Sequence, residues 1–569
     1  MNREHLAIPF VNSETLVNNK KLKLGILLES YEVPTWAYNA LKRIVNSDYA
    51  EFSLIIFTEC TNISKSQLHT FWLNKDKIGY YLFNKIDEKL FQGEPDAFIP
   101  KNILNILLGV PTIKLIPIQK GDSDNFEASG IERIKEYKLD ILIRMGSGPL
   151  PGDVLTISKY GIWSYYHGDN RTNRGGPPGF WEVVEGGSET GAILQMFTDN
   201  LEYGKVIYRS WFSTYQFSPA RNRGYCYWAS GTFLARQIEL LHRLGEEDFL
   251  AQVDRYNGDC EYYDHRYYQV PSNISALGLI IKLVLRNLFE IYQRKFYLDT
   301  WYLMYDFNKK KSTSFSKFKT IIPPKDRFWA DPNIIQAAGK YYVFVEEYFY
   351  KSKKGHISVI EMDEEGNYED PVRVLQKDYH LSYPFVFEWN GKCFLVPESA
   401  ANRTIDLYEC IEFPHKWKVK MTLMENILAV DTTMFYYYGK WWLFTGIAEN
   451  AGAFPQVELF LFYSDELFTN EWKGHPMNPI VSDVKKARPA GRLFTRDGKI
   501  FRPSQDCSKR YGYGFDLNEV LLLSETKYFE KKVVSVRPNW DKKIKGTHTF
   551  AREGQLTIID AFMRRRRLF

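Results

Sequence analysis

A repeat in the second half of the chain constrains its fold more than any other feature. A glycine followed by a short, mostly apolar run recurs five times. The copies are GKYYVFVEE from Gly339, GKCFLVPES from Gly391, GKWWLFTGI from Gly439, GKIFRPSQD from Gly498 and GQLTIIDAF from Gly554. A period of about 50 residues built from strands is typical of propeller blades. The repeat therefore predicts an all-β, five-bladed β-propeller over residues 301–569.

The turn glycines set a common register, so equivalent positions of the blades can be compared. Asp331 and Asp431 stand at one such position, and Glu346 and Glu398 stand at another. Because the inner strands of a propeller line its axial channel, we expect these carboxylates to converge there. The substrate-binding residues predicted for this half are Asp331, Glu398, Asp431, Arg488, Gln505 and His548.

Aromatic residues make up 16% of the chain and concentrate in the repeat region. Packing in the wedges between blades accounts for most of this surplus. Trp329 and Trp389 also suit stacking on the face of a sugar.

The first half has a different pattern. Three short apolar runs, LKLGILLES, FSLIIFTE and LDILIRMG, have the composition of buried strands, and helix-like or polar segments separate them. Alternation of this kind predicts a mostly parallel sheet in an α/β domain. Ligands of such sheets bind beyond the carboxyl ends of the strands, and His167 follows the strand-like run GIWSYY.

A helical stretch separates the two halves. In NISALGLIIKLVLRNLFEIYQRKFY, apolar residues from Leu277 to Ile291 form one stripe that Lys282, Arg286 and Arg294 interrupt. A packed connector helix and a basic helix lying on a membrane surface both agree with this pattern. The predicted domains are a polar leader (1–20), the α/β domain (21–215), a helical connector (216–300) and the propeller (301–569).

Charge and cysteine content narrow the class of protein. A formal net charge of +5 over 569 residues does not predict nucleic-acid binding. Arg564 to Arg567 form a basic tail, either a solvated end or a peripheral contact with anionic lipid. The six cysteines are scattered, which predicts neither a metal site nor disulfides. With no signal-peptide pattern and no long apolar run, we expect a cytoplasmic protein.

Residues 21–215 resemble the catalytic core of the formyltransferase family. The stretch LDILIRMGSGPLPGDVLTISKYGIWSYYHGDNRTNRGGPPGFWEVVEGGSETGAILQMFTDNLEYGKVIY carries the likeness in a strand, a histidine, an RG-x-x-P-like turn and glycine loops. The resemblance implies a Rossmann-type fold and transfer of formyl from N10-formyltetrahydrofolate to an amine. It also implies that His167 polarises the formyl oxygen, with Tyr165 in place of the family's Asn and Glu202 in place of its Asp.

The loop after His167 carries further charged residues. Asp169, Arg171 and Arg174 form either a solvated loop or a site for an anionic donor or nucleotide-sugar phosphate.

The propeller half has a resemblance of its own. FWADPNI, LSYPFVF, FLVPES, LYECIEFPHKWK, ARPAGRLF and RPSQDCSKRYGYGF resemble the N-terminal domain of plant glucosamine inositolphosphorylceramide transferases, which is similar to the propellers of glycoside hydrolase family 43. This resemblance implies that Asp331 is a general base. Glu398 would then be the acid and Asp431 would tune the pair. The alternative is a structural role, in which these carboxylates accept backbone hydrogen bonds from neighbouring blades.

Both resemblances indicate carbohydrate chemistry. We therefore predict a sugar-directed group-transfer enzyme of bacterial surface-glycan assembly, in which the α/β half transfers the group through His167 and Glu202. Its partners would be a carbohydrate or nucleotide sugar. A glycan-binding protein with a degenerate α/β scaffold and a glycoside-acting propeller that uses Asp331 and Glu398 are the alternatives.

Overall fold

The computed structural model describes residues 20–58, 75–91, 93–115, 117–120, 123–146, 152–197, 204–258, 266–307, 314–450 and 452–567. It contains two compact units. The described residues of Ser13–Asn287 and Asn450–Ala453 form one, and those of Leu288–Glu449 and Phe454–Phe569 form the other.

A seven-stranded mixed sheet is the centre of the first unit. In spatial order its strands are Thr112–Leu115, Ala50–Thr58, Leu22–Leu28, Ile141–Arg144, Ile162–Tyr166, Glu189–Phe197 and Lys205–Ser213. The first five are parallel, and each of the last two runs antiparallel to its predecessor. All four residues of Ile141–Arg144 are buried, as expected for a strand covered on both faces.

Helices flank this sheet. Thr35–Val45 buries Trp36, Ala40 and Ile44 on one face, the spacing that an amphipathic helix requires. The other described helices are Ile78–Phe91, Ala128–Lys135, Trp181–Glu185, Pro219–Ser230, Phe233–Leu244, Glu246–Asn257 and Asn273–Phe296. Short strand pairs join Glu32–Pro34 to Pro100–Asn102, Pro117–Lys120 to Ser123–Phe126, and Arg174–Gly175 to Tyr267–Tyr268. Single 3₁₀ turns occur at Lys75–Lys77, Ile103–Asn105, Gly152–Thr156, Phe315–Lys317 and Ala400–Asn402.

The second unit is a five-bladed β-propeller, which confirms the fold predicted from the repeat. Blade 1 contains Arg327–Ala337, Lys340–Phe349, Lys354–Met362 and Val372–Leu375; blade 2 contains Ser382–Trp389, Lys392–Glu398, Thr404–Glu412 and Lys416–Glu425. Blade 3 contains Ala429–Tyr437, Lys440–Ile447, Glu458–Ser464, Lys473–Gly474 and Val481–Ser482; blade 4 contains Phe494–Arg496, Lys499–Asp506, Gly514–Leu523 and Tyr528–Val536.

Blade 5 closes the ring with strands from both ends of the propeller sequence. It is ordered Lys319–Ile321, Tyr297–Phe307, Leu556–Arg566 and Phe550–Glu553. Tyr297–Phe307 pairs along its whole length with Leu556–Arg566, so eleven residues of each strand hold the circle shut. Arg564 lies in this strand and pairs with Glu290 and Asp299, so the predicted basic tail is largely part of the sheet.

The repeat glycines occupy tight turns between the first two strands of a blade. Gly339, Gly391, Gly439 and Gly498 all have positive φ, and so do the residues directly before them, Ala338, Asn390, Tyr438 and Asp497. Two successive positive φ values characterise a type I′ hairpin turn, in which glycine avoids the steric cost of the left-handed region. The periodic glycine is therefore a direct consequence of hairpin geometry.

Aromatic side chains fill the wedges between blades, as predicted. Trp329 is buried in the core of blades 5 and 1, and its Nε1 donates to Glu347 at 3.2 Å. The proposed stacking of Trp329 on a sugar is therefore wrong, because its ring has no free face. Trp389 packs against Tyr436 and Trp441 in the next wedge.

Candidate functional site

Three blades turn a side chain inward at the same position of the innermost strand. Asp331, Tyr383 and Asp431 have φ values of 54°, 41° and 50°. At each of them the pairing with the second strand skips two residues, which marks a bulge. Left-handed backbone is unfavourable for these residue types and is found where a fold uses it to aim a side chain. These three residues stand at the same distance before the turn glycine of their blade, so the bulge occupies one register position in all three.

Asp431 and Arg488 form the centre of a buried ionic group. Arg488 Nε lies 2.6 Å from Asp431 Oδ2, and Nη2 lies 3.0 Å from Oδ1. The same Nη2 reaches Glu398 Oε2 at 3.2 Å. Gln505 Nε2 donates to Asp431 Oδ2 at 2.7 Å. Blades 2 and 3 and the segments around blade 4 therefore meet at one guanidinium.

A second group connects blade 1 to blade 5 through His548. Its Nε2 lies 3.2 Å from Asp331 Oδ1, and its Nδ1 lies 2.7 Å from Asp560 Oδ2. Asp331 also accepts from Thr549 Oγ1 at 3.0 Å and from the Tyr383 amide at 3.2 Å. Burial opposes a charge on His548, but the two carboxylates dominate and raise its pKa to about 10. His548 is consequently a cation at neutral pH.

The carboxyl groups of this site differ in their protonation. Burial favours the neutral form of Asp331, yet the charge and hydrogen bond of His548 overcome it and hold its pKa below the usual value. Burial raises the pKa of Glu398 well above its usual value in spite of Arg488, and Asp431 and Asp331 add to this. Burial and Asp331 do the same to Glu346. The pKa of Asp331 and the pKa values of the two glutamates are therefore shifted in opposite directions, as they are in pairs of carboxyl groups that act as base and acid.

Aromatic rings surround the polar group. The Trp301 ring lies 4.1 Å from the His548 ring, and the Tyr511 ring lies 5.2 Å from it on another side. Arg488 Cζ is 5.0 Å from the Tyr511 centroid. Tyr511 is 44% exposed, whereas Asp331 is 4% exposed, so Tyr511 lies on the solvent side of the cluster. A flat ring beside hydrogen-bonding groups is an arrangement that suits a sugar.

Asp331, His548 and Asp560 bring ligand atoms within 4.8 Å of one another, and they are the one such group found among the described residues. One imidazolium offsets only one of the two carboxylate charges, so His548 alone does not balance this triad.

His167 of the first unit is enclosed by aromatic rings. The Tyr227 ring stacks on it at 3.5 Å, and the rings of Trp36 and Tyr165 lie at 5.2 and 5.7 Å. The Nε2 atom is buried and has no hydrogen-bond partner within the described ranges. Burial lowers the pKa of this histidine to about 3, so the imidazole is neutral.

The neighbours of His167 do not fit a formyl donor in this conformation. The Tyr165 hydroxyl accepts from the Leu234 amide at 3.1 Å, at the start of another helix, and is not directed to an oxyanion. Tyr227 covers the face of the imidazole. Glu202, the predicted acid, lies outside the described residues. The proposed meeting of His167 and Glu202 thus stays a prediction.

The loop after His167 is held by its own charged residues. Asp169 is buried and accepts from Trp211 Nε1 at 2.8 Å and from the Arg171 amide at 3.1 Å. Arg174 Nε donates to the carbonyl of Asn170 at 2.8 Å. Asp169 and Arg174 therefore stabilise the loop, and a site for an anionic donor or nucleotide-sugar phosphate at Asp169, Arg171 and Arg174 stays a prediction.

The structure brings together every predicted propeller residue, namely Asp331, Glu398, Asp431, Arg488, Gln505 and His548. Sequence reasoning missed Asp560 and Tyr511. Asp560 stands one position before Ala561, which is the register equivalent of Glu346 and Glu398. Counting from the turn glycine with a tolerance of one residue would therefore have found Asp560. Tyr511 lies in the loop between the second and third strands of blade 4, Lys499–Asp506 and Gly514–Leu523, outside the two register positions that the turn glycines set.

The propeller region matches a known family model. The model, "Glucosamine inositolphosphorylceramide transferase 1, N-terminal", matches residues 317–561. Glucosamine inositolphosphorylceramide transferase 1 of Arabidopsis thaliana is 32% identical over 209 residues, covering 36% of this chain and 27% of the relative. Methionyl-tRNA formyltransferase of Prochlorococcus marinus is 36% identical over 76 residues, covering 13% of this chain and 22% of that protein. The chain thus spans about a quarter of the length of these relatives.

Solved structures similar to this chain include two glycoside hydrolases. The catalytic domain of a family 62 α-L-arabinofuranosidase from Coprinopsis cinerea has a TM-score of 0.33 at 11% identity, covering 47% of this chain and 96% of that one. A family 117 glycoside hydrolase of Zobellia galactanivorans has a TM-score of 0.31 at 12% identity, covering 47% and 90%.

Proposed function

We propose that the propeller acts on a carbohydrate and cleaves or transfers a glycosyl group at Asp331 and Glu398. The observation that carries this proposal is that two carboxyl groups lie in one enclosed polar cluster, Asp331 beside His548 and Glu398 beside Arg488, with the pKa of the first lowered and that of the second raised. Glycosyl chemistry uses such a pair: a base takes a proton from the attacking hydroxyl or water, and an acid protonates the departing oxygen. The similarity to transferases named for glucosamine supports a sugar as the substrate.

The surrounding residues have roles in this proposal. Asp331 takes the proton of the nucleophile, and His548 keeps it ionised. Glu398 gives its proton to the leaving oxygen, while Arg488 limits the charge that then develops on it. Tyr511 offers its exposed ring to the sugar. A proton transfer of this kind contributes about 100- to 10,000-fold to a rate.

Substrates with two different leaving groups can distinguish the proposed acid, Glu398, from the proposed base, Asp331. Hydrolysis of a panel of 4-nitrophenyl glycosides and the matching methyl glycosides is measured for wild type, Asp331→Asn and Glu398→Gln. Because nitrophenolate leaves without protonation, Glu398→Gln should slow the methyl glycosides far more than the nitrophenyl ones, and Asp331→Asn should slow both by about 100-fold or more. Glu412→Gln, an exposed acid of the same propeller, is the control.

Two results would contradict the proposal. Equal turnover by wild type and both variants would remove Asp331 and Glu398 from the chemistry. Binding on a glycan array without turnover of any substrate would favour a glycan-binding module.

A second candidate is group transfer in the first unit, as expected from the formyltransferase resemblance and supported by the 76-residue likeness. We infer that formyl transfer to an amino sugar through His167 and Glu202, in a cytoplasmic protein, would require Tyr227 to leave the imidazole face. Mass spectrometry of an amino sugar incubated with the chain and N10-formyltetrahydrofolate tests it. His167→Ala should abolish any formylated product and Tyr227→Ala should increase it. The absence of product with wild type and with Tyr227→Ala would reject this activity.

A further inference from the structure

A large apolar surface is exposed in the first unit, on helix Ile78–Phe91 and on residues 273–287 of helix Asn273–Phe296. Helices Ile78–Phe91 and Asn273–Phe296 each bury one side in the same cluster, to which they contribute Tyr80, Ala276 and Leu283. Trp181, Val183 and Val184 from the short helix Trp181–Glu185 complete this cluster. The opposite side of each helix faces solvent.

Large apolar side chains occupy those outer sides. Their exposed fractions range from 39% for Ile78 to 89% for Ile274. We define the outer face as Ile78, Tyr81, Leu82, Ile86, Leu90, Ile274, Leu277, Ile281, Val284 and Leu285. Ten such side chains are more than a soluble monomer usually exposes in one region, and a surface of this kind marks an interaction site.

Direct hydrogen bonds join the two helices at their amino ends. Asn273 Oδ1 accepts from the Gly79 amide at 2.8 Å, and Asn273 Nδ2 donates to the Lys75 carbonyl at 2.8 Å. The amino ends of the two helices are therefore joined directly, and farther along the helices their inner sides share one apolar cluster.

Three exposed lysines lie on the two helices that carry the outer face. Lys85 and Lys89 are exposed between the apolar residues of the first helix, and Lys282 is exposed on the second. The acids of the first helix point elsewhere: buried Asp87 accepts from Ser218 and the Ala220 amide, and Glu88 pairs with Arg223. Residues 273–287 contain no acid.

We propose that the outer face binds the surface of a bilayer containing anionic phospholipid. Apolar side chains enter the boundary between headgroups and acyl chains, while the lysines contact phosphates. In the described part of the chain no helix has the length and hydropathy to span a bilayer, so the helices lie on the surface. A second copy of the chain fits less well, because a two-fold contact would bring two faces that each carry exposed lysines together.

Vesicle flotation of the full chain tests this inference. The vesicles are phosphatidylcholine alone and phosphatidylcholine with about one third phosphatidylglycerol. We expect binding to the anionic vesicles that falls as salt is added. Ile281→Glu/Leu285→Glu should reduce it at least about tenfold, since both side chains would otherwise enter the interface. Lys85→Gln/Lys89→Gln should reduce it about fivefold for each lysine.

The control is Leu108→Glu, because Leu108 is 83% exposed in the same unit but lies outside the outer face. It should bind as wild type does. As the substituted side chains are exposed, every variant should retain the circular dichroism spectrum and melting temperature of wild type. No binding by wild type, or equal binding by Ile281→Glu/Leu285→Glu, would overturn the inference. A wild-type dimer that this double variant dissociates, without vesicle binding, would instead identify a self-association surface.

Discussion

Arg488 and Asp431 form a two-point ion pair inside the propeller, with Nε to Oδ2 at 2.6 Å and Nη2 to Oδ1 at 3.0 Å. Asp431 is 1% exposed and Arg488 is 7% exposed. A guanidinium and a carboxylate so placed have lost their hydration, and each depends on the other for compensation. Glu398 accepts a hydrogen bond from Arg488, and Gln505 donates one to Asp431. The contact between Arg488 and Asp431 therefore supports both the local structure and the acid proposed for the reaction.

Removing this guanidinium should destabilise the propeller strongly. Arg488→Met leaves the buried Asp431 carboxyl group without its partner, which costs about 3–5 kcal/mol of unfolding free energy. Urea denaturation measures this loss of stability, with the unfolding transition of the propeller as the readout. Arg496→Met removes an exposed arginine beside Asp497 and should change stability by less than about 0.5 kcal/mol. The double variant Arg488→Met/Asp431→Asn should lose less than Arg488→Met alone, and an equal loss would show that the unpaired charge is not the cause.

His548 should make the propeller less stable at alkaline pH. Its pKa is about 10 in the folded chain against an ordinary 6.5, so the folded state favours the protonated form. The contribution is complete below pH 6.5 and is lost as the pH rises through 10. Between these limits wild type should lose about 1.4 kcal/mol per pH unit relative to His548→Gln. Parallel pH dependences of the two proteins in urea denaturation would contradict this assignment.

His167 should have the opposite effect in the first unit. Burial lowers its pKa to about 3, so this unit is stable with a neutral imidazole above pH 6.5 and loses that contribution as the pH falls toward 3. His167→Phe keeps a ring against Tyr227 but cannot titrate. The protection factors of the Ile162–Tyr166 amides, each the ratio of the intrinsic to the observed exchange rate, should fall with acid in wild type and stay nearly constant in the variant. An equal fall in both would assign the acid sensitivity to other groups.

The hairpin turns provide a matched pair of variants. Ala338 and Asn390 occupy the same turn position in blades 1 and 2, both with φ of 50°. Because asparagine tolerates left-handed backbone better than alanine, Ala338→Asn should stabilise the propeller by about 0.5–1 kcal/mol and Asn390→Ala should destabilise it similarly. Thermal unfolding measures both. Melting temperatures that shift in the same direction in both variants would show that side-chain contacts outweigh the backbone preference for left-handed φ.

Rules that depend only on neighbours along the chain, such as turn geometry and strand alternation, were sufficient to predict much of the propeller site. A hairpin turn requires left-handed backbone, so glycine marks it in each blade, and counting from the glycine locates Asp331, Asp431 and Glu398 on their strands. The same counting could not assign a partner to His548. That partner, Asp560, lies on the strand Leu556–Arg566, which is positioned by pairing with Tyr297–Phe307 from the other end of the propeller sequence.

Local rules were weaker in the first unit. The apolar run before His167 correctly indicated a strand, with the histidine just beyond its carboxyl end. The ring that covers this histidine belongs to Tyr227, on the helix Pro219–Ser230, and nothing in the residues around position 167 indicates it.

The sequence by itself determined the number of blades, the register of their strands and the chemical types available at the axis, because turn geometry and strand alternation depend on neighbours along the chain. Only the tertiary structure decided which acids are ionised. Those states depend on burial and on charges that ring closure brings together, such as His548 between Asp331 and Asp560. An electrostatic field acts through space, whereas a sequence pattern records only order along the chain.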